Sequence, residues 1–216
     1  MEANVEDEVF LEDKVIKYMD LNASLARKKA RKLLESKFFP NDLRIKLWRG
    51  LIKNPCQLDK KWYESYKKLV QKEGEFGSYP LIQSTVQKSL SEWQIDQNPK
   101  FKESIITMML VFEMSQPDIG YVPGMEKLAI FLRKMMEEDS AFIIFFNIIF
   151  SSNFLWSIYE QNQERICQYL QLFGRFICYE SSYENSFQTN KFIYQKFLVE
   201  EASTLFLNII DTSLTE

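Results

Sequence analysis

A chain of 216 residues with 46% apolar and 26% charged side chains can bury the core of one folded domain, and its composition excludes general disorder. The absence of histidine excludes Ser-His and Cys-His nucleophiles and His-ligated zinc or iron, so any chemistry falls to carboxylates, Lys, Arg, Tyr, Cys or backbone groups. The net charge of −3 is unevenly placed: residues 14–72 carry seventeen Lys/Arg against five Asp/Glu, a surplus of twelve, and the remainder carries −15.

Residues 1–21 form an acidic N-terminal arm and a helix start. The arm's Glu2, Glu6, Asp7, Glu8, Glu12 and Asp13 are the opposite of a secretory or mitochondrial leader. From Asn22 or Ser24, Leu25, Ala26, Ala30, Leu33 and Leu34 recur at helical spacing to about Phe38, with the basic patch Arg27, Lys28, Lys29, Arg31 and Lys32 among them. Pro40-Asn41-Asp42 restarts the chain, and Leu43, Leu47 and Leu51 predict a helix ending at Asn54-Pro55. Trp62, Tyr63, Tyr66, Leu69 and Val70 predict the next. Gly74 to Pro80 reads as a loop and the stretch to Asn98-Pro99 as a polar connection. A helix over 101–114 should turn Ile105, Met108, Met109 and Phe112 inward, and another should run from Gly120 to Met136. Ser140 to Tyr159 holds twenty residues without a charge. Asn147, Ser151, Ser152 and Asn153 interrupt it, so it reads as a buried core helix followed by a break, not a membrane span. Further helical periodicity continues from Ile158, and residues 192–211 suggest a last pair of helices. No strand alternation occurs, and the fold expected is all-α in a single domain over 22–216. Cys56, Cys167 and Cys178 form no CxxC pair, so reduced core thiols are expected, with no metal site and no cofactor.

The run Asp118-Ile119-Gly120-Tyr121-Val122-Pro123-Gly124-Met125 resembles the signature of TBC domains, the helical GTPase-activating domains that act on Rab-type small GTPases. Arg44 and Trp48 fit that family's R-x-x-x-W motif, and Glu137 to Phe142 fits its acidic turn before an aromatic helix. Residues 192–211 resemble a later segment in which Phe192 and Ile210 replace two tryptophans. The match covers roughly 42–211. Since the family continues for several helices more and this chain stops at Glu216, a domain truncated at its C-terminal end is expected.

The resemblance implies a two-finger mechanism. An I-x-x-D-x-x-R motif supplies an arginine against charge developing on the transferred phosphoryl, and a Y-x-Q-G motif supplies a glutamine that orients the attacking water. Here the first motif maps to Ile82 through Ser89, with Thr85 at the Asp position and Lys88 at the Arg position. The second has Pro123 at the Gln position. An arginine finger is worth about 10³ to 10⁵ in rate, roughly 4–7 kcal/mol of barrier. Lysine keeps the charge without the planar fork. Proline has neither a side-chain donor nor a backbone N–H, so it cannot hold a water. Gly120, Tyr121, Gly124 and Met125 remain to build the turn, and Arg44 and Trp48 to anchor the frame.

The resemblance and its departures together imply a catalytically inactive TBC-like protein, a pseudo-enzyme acting as a binding or scaffold subunit of a multiprotein assembly. The alternative is an atypical Rab-type GTPase activator. Partners expected are other proteins of that assembly, a small GTPase bound without hydrolysis, or an acidic protein tail; nucleic acid is the weakest option, since no RNA motif or zinc finger accompanies the basic patch. The compartment expected is the cytoplasm. An acidic partner such as a tubulin tail would place the chain at the cytoskeleton or the cilium.

Overall fold

The computed structural model describes residues 41–73, 77–95, 98–162, 164–169 and 171–172. The acidic arm, the helix expected over 22–38, the basic patch at Arg27, Lys28, Lys29, Arg31 and Lys32, Cys178 and the segment 192–211 lie outside the described residues.

Helices α1 (Asn41–Ile52), α2 (Lys60–Glu73), α3 (Tyr79–Glu92), α4 (Pro99–Ser115), α5 (Met125–Met135), α6 (Glu138–Ser151) and α7 (Asn153–Tyr159) follow one another, with no strand among the described residues. The all-α expectation holds. Two helices form the centre: α4 packs against α2, α3, α5 and α6, while α6 packs against α1, α2, α4, α5 and α7. Surrounded on several sides, α4 buries Ile105, Met108, Met109, Val111 and Phe112 completely. The four residues expected to face inward there all do.

Polar residues mark where the two central helices start and stop. Asn98 caps α4, its side chain accepting from the Lys100 N–H at 3.0 Å, and Pro99 sits in the first turn, where a missing N–H costs nothing. Ser152 both ends α6 and caps α7, its hydroxyl accepting from Leu155 N–H at 3.2 Å. The uncharged stretch at 140–159 is therefore two helices joined at Ser152, and no helix of the described residues is long and apolar enough to cross a membrane.

The aromatic face of α6 makes the densest packing. Phe142 tilts against Tyr63 at 4.7 Å between centroids, Phe145 meets Phe112 edge-on at 5.5 Å, and Phe146 stacks on Phe150 at 4.4 Å. Asn147 lies among them with no exposed surface, and every polar atom it has is used. Its amide donates to Asn54 Oδ1 at 3.0 Å and to the Ile143 carbonyl at 2.8 Å, and its oxygen accepts from Cys56 N–H at 3.2 Å. Asn147 thus clamps the α1–α2 connection onto α6.

Three expectations are corrected. The stretch after Pro80 is not a polar connection but helix α3. Ile82, Val86, Ser89 and Leu90 are buried at i, i+4, i+7 and i+8, a stripe too narrow to stand out among Gln, Ser and Lys. Tyr79 and Pro80 open that helix and do not belong to the preceding loop. The helix expected from Gly120 begins only at Met125, because Gly120 (φ +66°) and Gly124 (φ +107°) hold the chain in a left-handed turn.

Candidate functional site

Two segments singled out in the sequence meet at the junction of α3 with the turn before α5. On α3, Ile82 and Val86 are fully buried and fix the helix against the core. That packing leaves Thr85 half-buried toward the turn and Lys88 on the exposed side. In the turn, Gln116 accepts at its carbonyl from Ile119 and Gly120 N–H at 3.1 and 2.9 Å. Gly120 has open space where a Cβ would stand, so its need for glycine comes from φ alone. Met125, fully buried, plugs the turn into the core.

The link between the segments is a chain of hydroxyls ending on a carboxylate. Thr85 Oγ1 lies 2.6 Å from the Tyr121 hydroxyl, which donates to Glu126 Oε2 at 2.7 Å. The same carboxylate oxygen accepts from Gly124 N–H at 2.7 Å, and Oε1 accepts from the Ser89 hydroxyl at 3.0 Å. Glu126 is only 3% exposed, in the first turn of α5, where the helix dipole favours a negative charge. Burial, and then the Glu126 charge, push the Tyr121 phenol above its ordinary value, and the buried Tyr159 phenol is raised for the same two reasons. Both phenols stay neutral through the physiological range.

Lys88 and Pro123, the residues expected at the two finger positions, face outward. The Lys88 side chain is 76% exposed, and its ammonium lies 3.7 Å from Glu92 one turn on. Glu92 also pairs with Lys127 of α5 at 3.2 Å, so one carboxylate serves two cations across the α3–α5 contact. Pro123 is exposed and offers no hydrogen-bonding group except its carbonyl. The N–H that follows it, on Gly124, is already committed to Glu126. Gln87, next to the Lys88 position, accepts from the Lys102 ammonium at 2.6 Å. Arg44 and Trp48 both lie on α1, and their side chains are outside the described residues.

Other groups lie away from this junction. Glu138, at the start of α6, accepts from Tyr63 Oη at 2.6 Å and Lys67 Nζ at 2.7 Å. Burial opposes its ionisation, yet the hydrogen bonds from Lys67, Tyr63 and Ser104 overcome that and hold it below the ordinary carboxylate value. A groove of about 500 Å³ between α2, α3 and α4 is lined by Val70, Tyr79, Gln83, Lys102 and Leu110 among others, and includes neither Lys88 nor Pro123. Among the described residues no cluster of three or more His, Cys, Asp or Glu side chains could hold a metal ion, and Cys56 and Cys167 are free thiols.

Glu126 and Ser89 are the members of the junction that sequence reasoning missed. The available signal was an acid directly after Gly124-Met125 at the head of an apolar helix, a position where an exposed side chain is the ordinary expectation.

A helical domain in which an α3 segment of pattern I-x-x-T-x-x-K is bonded to a G-Y-x-P-G-M turn has the frame of a Rab GTPase-activating domain. The Rab-GTPase-TBC domain model matches residues 41–215, and the chain belongs to that family. No curated protein matches the sequence significantly.

Proposed function

We propose that this chain is a TBC domain that does not activate GTP hydrolysis and serves as a binding or scaffold subunit of a larger protein assembly. The observation that carries the reading is the turn at 121–124. Where the family presents a glutamine to the attacking water, this chain presents an exposed Pro123, and the adjoining Gly124 N–H is spent on Glu126. Lys88 retains one positive charge, but its ammonium is drawn to Glu92 and it lacks the fork that grips two phosphate oxygens.

The surface fits an acidic protein partner. On α2, Lys61, Lys68 and Lys72 are exposed at i, i+7 and i+11, one face of the helix, with the 44% exposed Leu69 beside them. Lys60 and Lys67, by contrast, are paired with Asp139 and Glu138. This stripe continues the basic character of residues 14–72. Native size separation of an extract from the source cell tests the scaffold role. The protein should elute well above the mass of a single copy, and elution as a free monomer would contradict it.

The second reading, an atypical Rab-type activator, is favoured by the exposure of Lys88 on a helix bonded to the turn. It requires that Lys88→Ala abolish any acceleration of GTP hydrolysis.

A further inference from the structure

Thr85 stands where the family pattern places an aspartate, so the first motif has lost its carboxylate. The structure nevertheless holds a buried carboxylate at that junction, delivered from the opposite side. The Thr85 hydroxyl and the Glu126 carboxylate flank the same atom, the Tyr121 hydroxyl, at 2.6 and 2.7 Å. We infer that Glu126 is the positioning residue of this site: the acceptor that the motif aspartate would place on α3 has moved to α5, where it holds the Tyr121–Gly124 turn against α3. The inference rests on reading this junction as the paired finger segments of a TBC domain, and it holds whether or not the chain activates a GTPase.

Proton bookkeeping supports the assignment. Tyr121 has one proton and gives it to Glu126, so its oxygen is left to accept from Thr85. Thr85 Oγ1 also has the Leu81 and Ile82 carbonyl oxygens at 2.9 and 3.0 Å, so its single proton has alternatives within its own helix. Glu126 is the member of the chain with no proton to place. It takes the Tyr121 and Ser89 hydroxyl protons and the Gly124 N–H, a load of three donors that suits an ionised carboxylate. An apolar residue at 126 would strand the Gly124 N–H and the Ser89 hydroxyl and leave the Tyr121 proton to Thr85 alone, and a second carboxylate at 85 would put two anions on one phenol.

Moving the carboxylate back is the test. In the full chain, Thr85→Asp alone should lower Tm by about 5–10 °C, because two carboxylates compete for one hydroxyl, and adding Glu126→Gln should restore most of that loss. In the reverse background, Glu126→Leu should lower Tm by about 5–10 °C through the stranded donors, and Thr85→Asp should now raise it by about half that amount. Thr85→Asp thus changes sign with the residue at 126. Gln83→Asp, on the exposed side of the same helix, is the charge control and should be indifferent to position 126. A fluorotyrosine resonance at position 121 reports the hydrogen bond directly. It should shift in Glu126→Leu and return toward its original position when Thr85→Asp is added. If Glu126→Leu alone fails to fold, adding Thr85→Asp should recover a folded protein, and if Thr85→Asp alone fails, adding Glu126→Gln should do so; no recovery would count against the inference. Additive effects of the two substitutions, or a resonance that ignores residue 126, would overturn the inference. GTP hydrolysis is not read in these measurements, so their failure is distinct from failure of the functional reading.

Discussion

Asn147 interrupts the uncharged stretch of α6, and in the sequence it counted simply as a residue unsuited to a membrane. In the fold it is buried with both its amide and its oxygen engaged by the α1–α2 connection. Asn147→Leu should therefore cost about 1–3 kcal/mol in chemical denaturation by orphaning the Cys56 N–H, while Asn54 Oδ1 keeps the Leu58 N–H at 3.0 Å; a neutral result would mean the connection repacks freely. Glu138 predicts an acid limb to stability. Its folded-state pKa lies below the ordinary value of 4.5, so the contribution is fully present above pH 4.5 and disappears as pH falls through the folded value. Glu138→Gln should lose stability at neutral pH and flatten the unfolding midpoint below pH 4.5. Tyr63 works at the other end. Burial, then the Glu138 charge, raises its phenol, so its contribution is present below the ordinary value of 10 and is lost as pH rises beyond it. Side chains of this kind were illegible in the sequence because their partners lie 75 and 93 residues away.

At the scale of elements, legibility followed the width of the apolar stripe. Helix α4, buried on several sides, and α6, with its row of phenylalanines, were plain from periodicity. Helix α3 was not, since four buried positions among polar neighbours look much like a connection, and only the family motif drew attention to it. The turn at 118–124 was legible as a motif but not as geometry: Gly120 and Gly124 delay the helix to Met125, which is what places Tyr121 against Thr85. Gly120→Ala should cost about 1–2 kcal/mol through backbone strain alone, because space for the methyl is open. A stability equal to the wild type would show that the left-handed conformation is not required. Phe142→Ala should be worse, at about 3–5 kcal/mol by calorimetry, since the ring fills the space between Tyr63, Trp62 and Phe145.

Across the whole molecule, membership of the Rab-GTPase-TBC family and the all-α architecture were both accessible from a short signature and the absence of strand patterning. The contacts that weld α3 to the Tyr121–Gly124 turn were not, because a hydroxyl chain ending on Glu126 has no sequence period. The frame has kept its packing with Lys88 and Pro123 at the two outward positions, and fold by itself never carries activity with it. Single-turnover GTP hydrolysis by a panel of Rab-type GTPases, measured with and without the purified full chain, decides whether the domain is inactive. Rates should stay within about twofold of the intrinsic rate for every member, against the roughly 10³–10⁵ that a working arginine finger supplies. A hundredfold acceleration of any one of them, lost in Lys88→Ala, would contradict it.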